Sequence, residues 1–209
     1  MNNNFEYQLI KDILDIDYYD STGSVYKTAK IKGSVFRGFN GGLFSQYEDG
    51  PVLQNTTSTL DLLGNGEGTM TIPANALQKG GAYELLVTGE LSATLNDILT
   101  INLESPSAVF CFGGAFTMFQ ITPPNYFELK MIVIVREIGG VGVAKLEGSG
   151  TFQCKVDSGS AYKMYPISFE NVTTIDTTAS HALELNATWN SAKAGNRIMT
   201  RTANWKKIY

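Results

Sequence analysis

Hydrophobic and polar residues alternate along much of this chain, and clusters of glycine, proline, asparagine and aspartate interrupt the alternation. In "LTINLE", Leu99, Ile101 and Leu103 fall on one side and Thr100, Asn102 and Glu104 on the other. That is the period of two of a half-buried β-strand. "LELNATWN" repeats the pattern with Leu183, Leu185, Ala187 and Trp189, and "TFQCKV" with Phe152, Cys154 and Val156. "YFELKMIVIVRE" differs: Phe127, Leu129, Met131, Val133 and Val135 make one apolar side, and Ile132 and Ile134 make the middle of the other side apolar too. A strand apolar on both sides is either central in a sandwich or turned toward another subunit.

The separators are "GFNGG", "EDGP", "GNGEG", "QKGG", "TPPN", "GGVG", "VDSGS" and "SAKAGN". Short strands divided by turn clusters, with no convincing helix after residue 20, predict an all-β, antiparallel β-sandwich or barrel. Nothing suggests βαβ units, and no internal repeat is visible. The first residues stand apart. "FEYQLIKDILDIDYYD" puts Leu9, Ile10, Ile13 and Leu14 at helical spacing, while its end, "LDIDYY", alternates like a strand, so both readings stay open. This segment, 1–22, is read as a short N-terminal arm that docks through those four residues, ahead of a body spanning 23–209. Its apolar patch is too small to fold alone.

Composition narrows the function classes. Apolar residues make up 43% of the 209, enough for a core, and charged residues only 17%. A net charge of −4 gives no electrostatic footprint for nucleic acid. No apolar run is long enough to span a membrane, and the start, "MNNNFEYQL", lacks the marks of a signal peptide. The expectation is synthesis in a cytoplasm. The two cysteines, Cys111 and Cys154, sit in apolar strand-like runs and are read as thiols rather than a bridge.

Reactive groupings are scarce. The single histidine, His181, has no metal-ligand spacing around it, and no GxSxG elbow accompanies it. It is read as structural, with its exchange for Gln expected to be nearly neutral. "GNGEG" and "GGVGVAK" lie between strands, where glycines make turns rather than phosphate cradles. These features predict no catalysis, no cofactor and no metal. Aromatic residues are plentiful, including Tyr162, Tyr165, Phe169, Trp189 and Trp205. Such rings fill sandwich cores, and on a surface they can also form sugar-binding platforms.

Three blocks taken together carry a family resemblance: "NGEGTMTIPANALQKGGAYELLVTGELSATLNDILTINL", "MIVIVREIGGVGVAKLEGSGTFQ" and "VTTIDTTASHALELNATWNSAKAGNRIMT", with "KIY" at the end. In order and spacing they resemble jelly-roll-type viral structural proteins of large double-stranded DNA viruses of protists and algae, and of aquatic phages, over about residues 42–209. The resemblance implies a jelly-roll body and a capsid-associated role in the virion as minor capsid protein, penton or spike. It implies partners among other capsid proteins and copies of itself, a homotrimer first and a pentamer second. The run "MIVI" (Met131, Ile132, Val133 and Ile134), whose second apolar side at Ile132 and Ile134 needs cover, is the candidate oligomer interface, unless the chain's own "AVFCFGGAFTMF" covers it. The alternative role is a receptor- or glycan-binding head that recognises a host glycan. Two features depart from the family pattern: the arm, and the apolar stretch "ESPSAVFCFGGAFTMFQITPPNY", which is expected to add a contact surface.

Overall fold

The structure, a computed structural model, describes residues 8–10, 13–20, 25–32, 42–106, 108–156, 161–172 and 175–209. For the described residues up to 42 and for residues 108, 109, 111, 112, 171 and 172 it describes the backbone alone. Among the described residues every regular element is a strand, and every strand pairing given is antiparallel. The chain divides into two compact units, Met1–Gly42 and Leu43–Tyr209.

The first unit contains a three-stranded sheet, β1 (Gln8–Ile10), β2 (Ile13–Asp20) and β3 (Val25–Lys32), in that order. Of the two readings of the arm, the strand is the one found. Its register pairs Leu9 with Leu14 and Ile10 with Ile13. Since neighbouring strand positions alternate in face, Leu9 and Leu14 share one face, and Ile10 and Ile13 share the other. The single four-residue patch expected from helical spacing is therefore split. The unit also extends beyond the expected boundary at residue 22, because β3 pairs with β2 from Asp20↔Val25 to Ile13↔Lys32.

The second unit is the expected antiparallel sandwich. Its strands are β4 (Gly42–Gln46), β5 (Leu53–Gln54), β6 (Leu60–Asp61), β7 (Gly66–Gly68), β8 (Thr71–Ile72), β9 (Ala82–Ala93), β10 (Ile98–Ser105), β11 (Ala108–Thr117), β12 (Ile121–Glu137), β13 (Lys145–Lys155), β14 (Tyr162–Val172), β15 (His181–Ala182), β16 (Glu184–Trp189) and β17 (Arg197–Lys207). The larger sheet runs β14-β13-β12-β9-β17-β4-β7, with β5 also on β17; the smaller runs β11-β10-β16-β6, and β8 pairs with β15. Chain and sheets interleave: β4 lies in the large sheet, β6 in the small, β9 in the large, β10 and β11 in the small, β12 in the large, β16 in the small and β17 in the large.

Alternation decides which residues meet between the sheets. Leu85, Val87 and Leu91 of β9, Leu129, Met131, Val133 and Val135 of β12, and Trp205 of β17 are fully buried. Leu99, Ile101 and Leu103 of β10 and Leu185, Ala187 and Trp189 of β16 answer them from the small sheet. Contacts across the gap are direct: Phe116 of β11 stacks on Phe152 of β13 at 4.7 Å, and Phe110 of β11 meets Trp205 edge-on at 6.2 Å. Two glycines make room for neighbours within the large sheet. A Cβ at Gly89 would stand 2.1 Å from the Met199 carbonyl oxygen and 2.7 Å from the Phe127 ring, and one at Gly148 would stand 2.2 Å from the Phe169 ring.

Several expectations are revised here. "TPPN" is not a turn between strands; it lies within β12, where the register to β9 shifts between Ile121 and Asn125. "AVFCFGGAFT" is β11, an edge strand of the small sheet whose Phe110 and Phe116 point into the core. It is on the opposite layer from the outer side of β12, so it does not cover Ile132 and Ile134. Cys154 is a buried free thiol, and burial pushes it up to about 11.

The two sides of β12 are expected to differ sharply in an urea titration. Met131→Ala empties a fully buried site and should cost about 2–5 kcal/mol. Ile132→Thr, on the outer side, should cost about 1 kcal/mol or less. Equal losses at both positions would contradict this orientation.

Candidate functional site

The outer side of the large sheet is where the sandwich presents side chains not consumed by the core. Its residues line up in rows across the strands. One row reads Lys206, Glu84, Ile132, Ser149 and Ser168, from β17 to β14. Glu84 receives Lys206 at 2.7 Å and Lys130 at 3.1 Å. The hydrogen bond from Lys206 is the largest of the effects that hold its carboxyl below the usual value, burial opposing them. Ile132 and Ile134 sit half-buried on this side. Met131 and Val133 do not belong with them: both are fully buried between the sheets, so no partner subunit can reach them. Of the four residues read as an oligomer interface, the outer side keeps Ile132 and Ile134.

At the other end of the same face the character changes. Glu90 of β9 pairs with Tyr126 of β12, and Lys155 of β13 with Tyr162 of β14. The neighbouring row runs Thr202, Thr88, Glu128, Gln153 and Met164. Tyr126, Tyr162 and Met164 are 41%, 56% and 59% exposed. The polar groups beside them are tied together: the Tyr126 hydroxyl donates to Glu128 Oε2 at 3.2 Å, and Gln153 Nε2 donates to Glu128 Oε1 at 3.0 Å. Burial, with the Glu128 carboxylate and Tyr162 nearby, raises the Tyr126 phenol above its ordinary value. Further along, Arg201 bridges Glu90 at 2.9 Å and Asp49, and Arg197 reaches Glu90 at 3.5 Å. The face is thus a rigid strip of charged pairs that ends in exposed tyrosines.

The aromatic residues singled out in the sequence divide accordingly. Trp189, Trp205 and Phe169 are core. Tyr165 packs against Phe116 at 5.4 Å and donates its hydroxyl to the Thr117 carbonyl at 2.9 Å, pinning β14 to β11. Only Tyr162 of that group stands on the outer surface. Tyr126 lies in the stretch expected to add a contact surface but was not singled out there, and Met164 was missed, because alternation marks which side a residue takes and not whether that side is covered.

Two buried polar groupings hold the body at its ends. Asn196, fully buried, accepts from the Thr94 amide at 2.9 Å and donates to Asp97 Oδ2 at 2.8 Å. Lys193 reaches the other carboxylate oxygen at 2.7 Å. Burial alone would raise Asp97, but the hydrogen bonds from Lys193, Asn196 and Ser191 outweigh it and hold the carboxyl below its ordinary value. This network ties the turn between β9 and β10 to the turn between β16 and β17. At the opposite side His181 is 3% exposed. Its Nε2–H donates to the Asp176 carbonyl at 2.7 Å, which leaves Nδ1 to accept from the Ser105 hydroxyl at 3.1 Å. His181 therefore links β15 to the end of β10. The near-neutral exchange for Gln expected from the sequence does not fit a ring bonded through both nitrogens.

No family model matches the chain, and no curated protein does either. Among solved structures, an engineered GH43 glycoside hydrolase with endo-xylanase and exo-arabinofuranosidase activity aligns with 93% of this chain at TM-score 0.31 and 8% identity. The alignment takes in 49% of the hydrolase, so the chain spans about half of that protein's length. The CBM2 module of the evolved Dit of Lactobacillus casei BL23 phage J-1 aligns with 65% of this chain and 66% of its own, at TM-score 0.26 and 10% identity. The expectation that the chain is not an enzyme no longer stands, with a glycoside hydrolase among the structures it aligns to. At that TM-score the alignment assigns no activity either.

Two substitutions test the polar ends. A carboxyl depressed in the folded state contributes stability above its unfolded value, near pH 4, and loses it as the pH falls through the folded value. Asp97→Asn should therefore lower stability at pH 7 by about 1–3 kcal/mol and flatten the acid limb of a stability–pH curve. An unchanged acid limb would contradict the network. His181→Gln should cost about 1–3 kcal/mol in thermal or urea unfolding, because the amide cannot remake both ring hydrogen bonds; a neutral exchange would return His181 to a passive role.

Proposed function

We propose that this chain is a structural protein of a virus particle, with the body Leu43–Tyr209 folded as a jelly roll. The observation that carries the reading is the strand path. Taken four by four, β4-β17-β9-β12 faces β6-β16-β10-β11, and the chain crosses between the two sheets as it proceeds. That path supports the double Greek key of a jelly roll, an architecture used in viral capsid and lectin domains. The three sequence blocks that resemble jelly-roll viral proteins coincide with it: the first spans β7 to β10, the second joins β12 to β13, and the third spans β15 to β17.

In this reading the role is capsid-associated, as minor capsid protein, penton or spike. The chain associates with copies of itself, as a homotrimer first and a pentamer second, across the outer side around Ile132 and Ile134. Segment 1–42, which lies outside the shared family pattern, serves as the attachment to other capsid proteins. The protein's place is then the virion, after synthesis in the host cytoplasm.

Quantitative mass spectrometry of purified particles encoded by the same genome should find the chain at a fixed copy number, a multiple of three or of five. Light scattering on the pure protein should give the matching multiple of its 22.8 kDa mass. Absence from particles would end the virion reading, and a monomer at high concentration would end self-association.

A further inference from the structure

Strands β13 and β14 lie outside the eight-strand wrap. They extend the large sheet beyond β12 as a hairpin, and their inner residues Phe152, Ile167 and Phe169 are paid for by core burial. Their outer side is less easily explained. Together with β12 it carries Tyr126, Tyr162 and Met164, three large side chains left 41%, 56% and 59% exposed on one end of one face. Tyr126 and Tyr162 are two strands apart, about 9–10 Å. Ile132 lies six residues from Tyr126 along β12, about 20 Å away, so the oligomer surface proposed above does not reach this end.

The size of the patch limits what it can bind. Stable protein interfaces use about 20–30 residues on each side, whereas this end offers three exposed apolar side chains bordered by Glu128, Gln153 and Lys155. Its polar groups are held in place before any ligand arrives, since Glu128 takes hydrogen bonds from both Tyr126 and Gln153. Flat ring faces beside fixed carboxylate and amide groups match the chemistry of a sugar, whose C–H faces stack on aromatic rings while its hydroxyls bridge polar atoms. Glu128 beside Tyr126 disfavours a sugar that carries its own carboxylate.

We propose that the outer end of β12, β13 and β14 is a binding site for a neutral oligosaccharide. Tyr126 and Tyr162 stack on two sugars of one chain, Met164 packs beside the second ring, and Glu128 and Gln153 bond the hydroxyls between them. Lys155, opposite Tyr162 in register, offers a further donor. The site stands whether or not the protein belongs to a particle.

An array of neutral hexose and pentose oligosaccharides, with sialylated ones alongside, tests this on the full chain. The native protein should retain one neutral class. With that oligosaccharide in calorimetry, Tyr126→Ala and Tyr162→Ala should each weaken binding by about tenfold, as the loss of one stacked ring implies. Tyr162→Phe keeps the ring and should bind as the native protein does, and thermal melts of all three variants should match it. Retention of no neutral saccharide, retention of sialylated ones alone, or native affinity in the folded Tyr126→Ala and Tyr162→Ala variants would each overturn the proposal.

Discussion

Trp205 is stacked on Tyr83 at 5.4 Å within its own sheet and meets the Phe110 edge at 6.2 Å from the other. The rest of the body depends on contacts of this kind, in which two sheets bury their apolar sides against each other about 10 Å apart. Burial is complete along the middle of β9, β10, β12, β16 and β17, and these strands come from widely separated parts of the chain. Closing the core therefore fixes the long-range order of the strands as well as their faces. Gly89 and Gly148 show how little slack remains, since even a methyl group at either would meet a carbonyl or a ring.

With the inner faces committed to apolar packing, buried polar groups are few; Gln46 and Thr200 among them bond each other, and the Thr200 hydroxyl donates to the Leu62 carbonyl. Asp97 and Asn196 are buried at one end because two turns must be joined there, and every partner found for them is a hydrogen bond or an ion pair. His181 and Ser105 do the same elsewhere. On the outer surface of the large sheet, Glu84 and Glu90 each face two cations. Exposed pairs of this type contribute little stability singly, but they hold side chains at fixed positions. The tyrosines beyond them are consequently presented on a rigid strip, a better platform for recognition than a loop would be.

Much of the sandwich was legible because strand periodicity is a local signal. Leu99, Ile101 and Leu103, and likewise Leu185, Ala187 and Trp189, are buried as their alternation predicts. What was not legible depended on distance or on coverage. Nothing local shows that β10 pairs with β16 from Leu99↔Trp189 onward, nor that the Thr94 amide finds Asn196. At Leu9, Ile10, Ile13 and Leu14 a short run satisfied both a helix and a strand, and the pairing of β1 with β2 decides between them. Periodicity put Met131 and Ile132 on opposite sides of β12 but could not tell which of the two sides is covered, because both are apolar. Of "ESPSAVFCFGGAFTMFQITPPNY", read as an added contact surface, Phe110 and Phe116 are core while Phe119 and Tyr126 are exposed. Tyr126 was not singled out within that stretch, because a tyrosine in a strand reads alike whether covered or exposed.

The central claim is that both sheets of the body share one core and unfold as one. Native-state hydrogen exchange measures this strand by strand. Amides in the middle of β9, β12 and β17 should exchange with the same free energy as those of β10 and β16, equal to that of global unfolding. If β10 and β16 instead open at a distinctly lower free energy while the large sheet stays protected, the sheets are not a single cooperative core and the account fails.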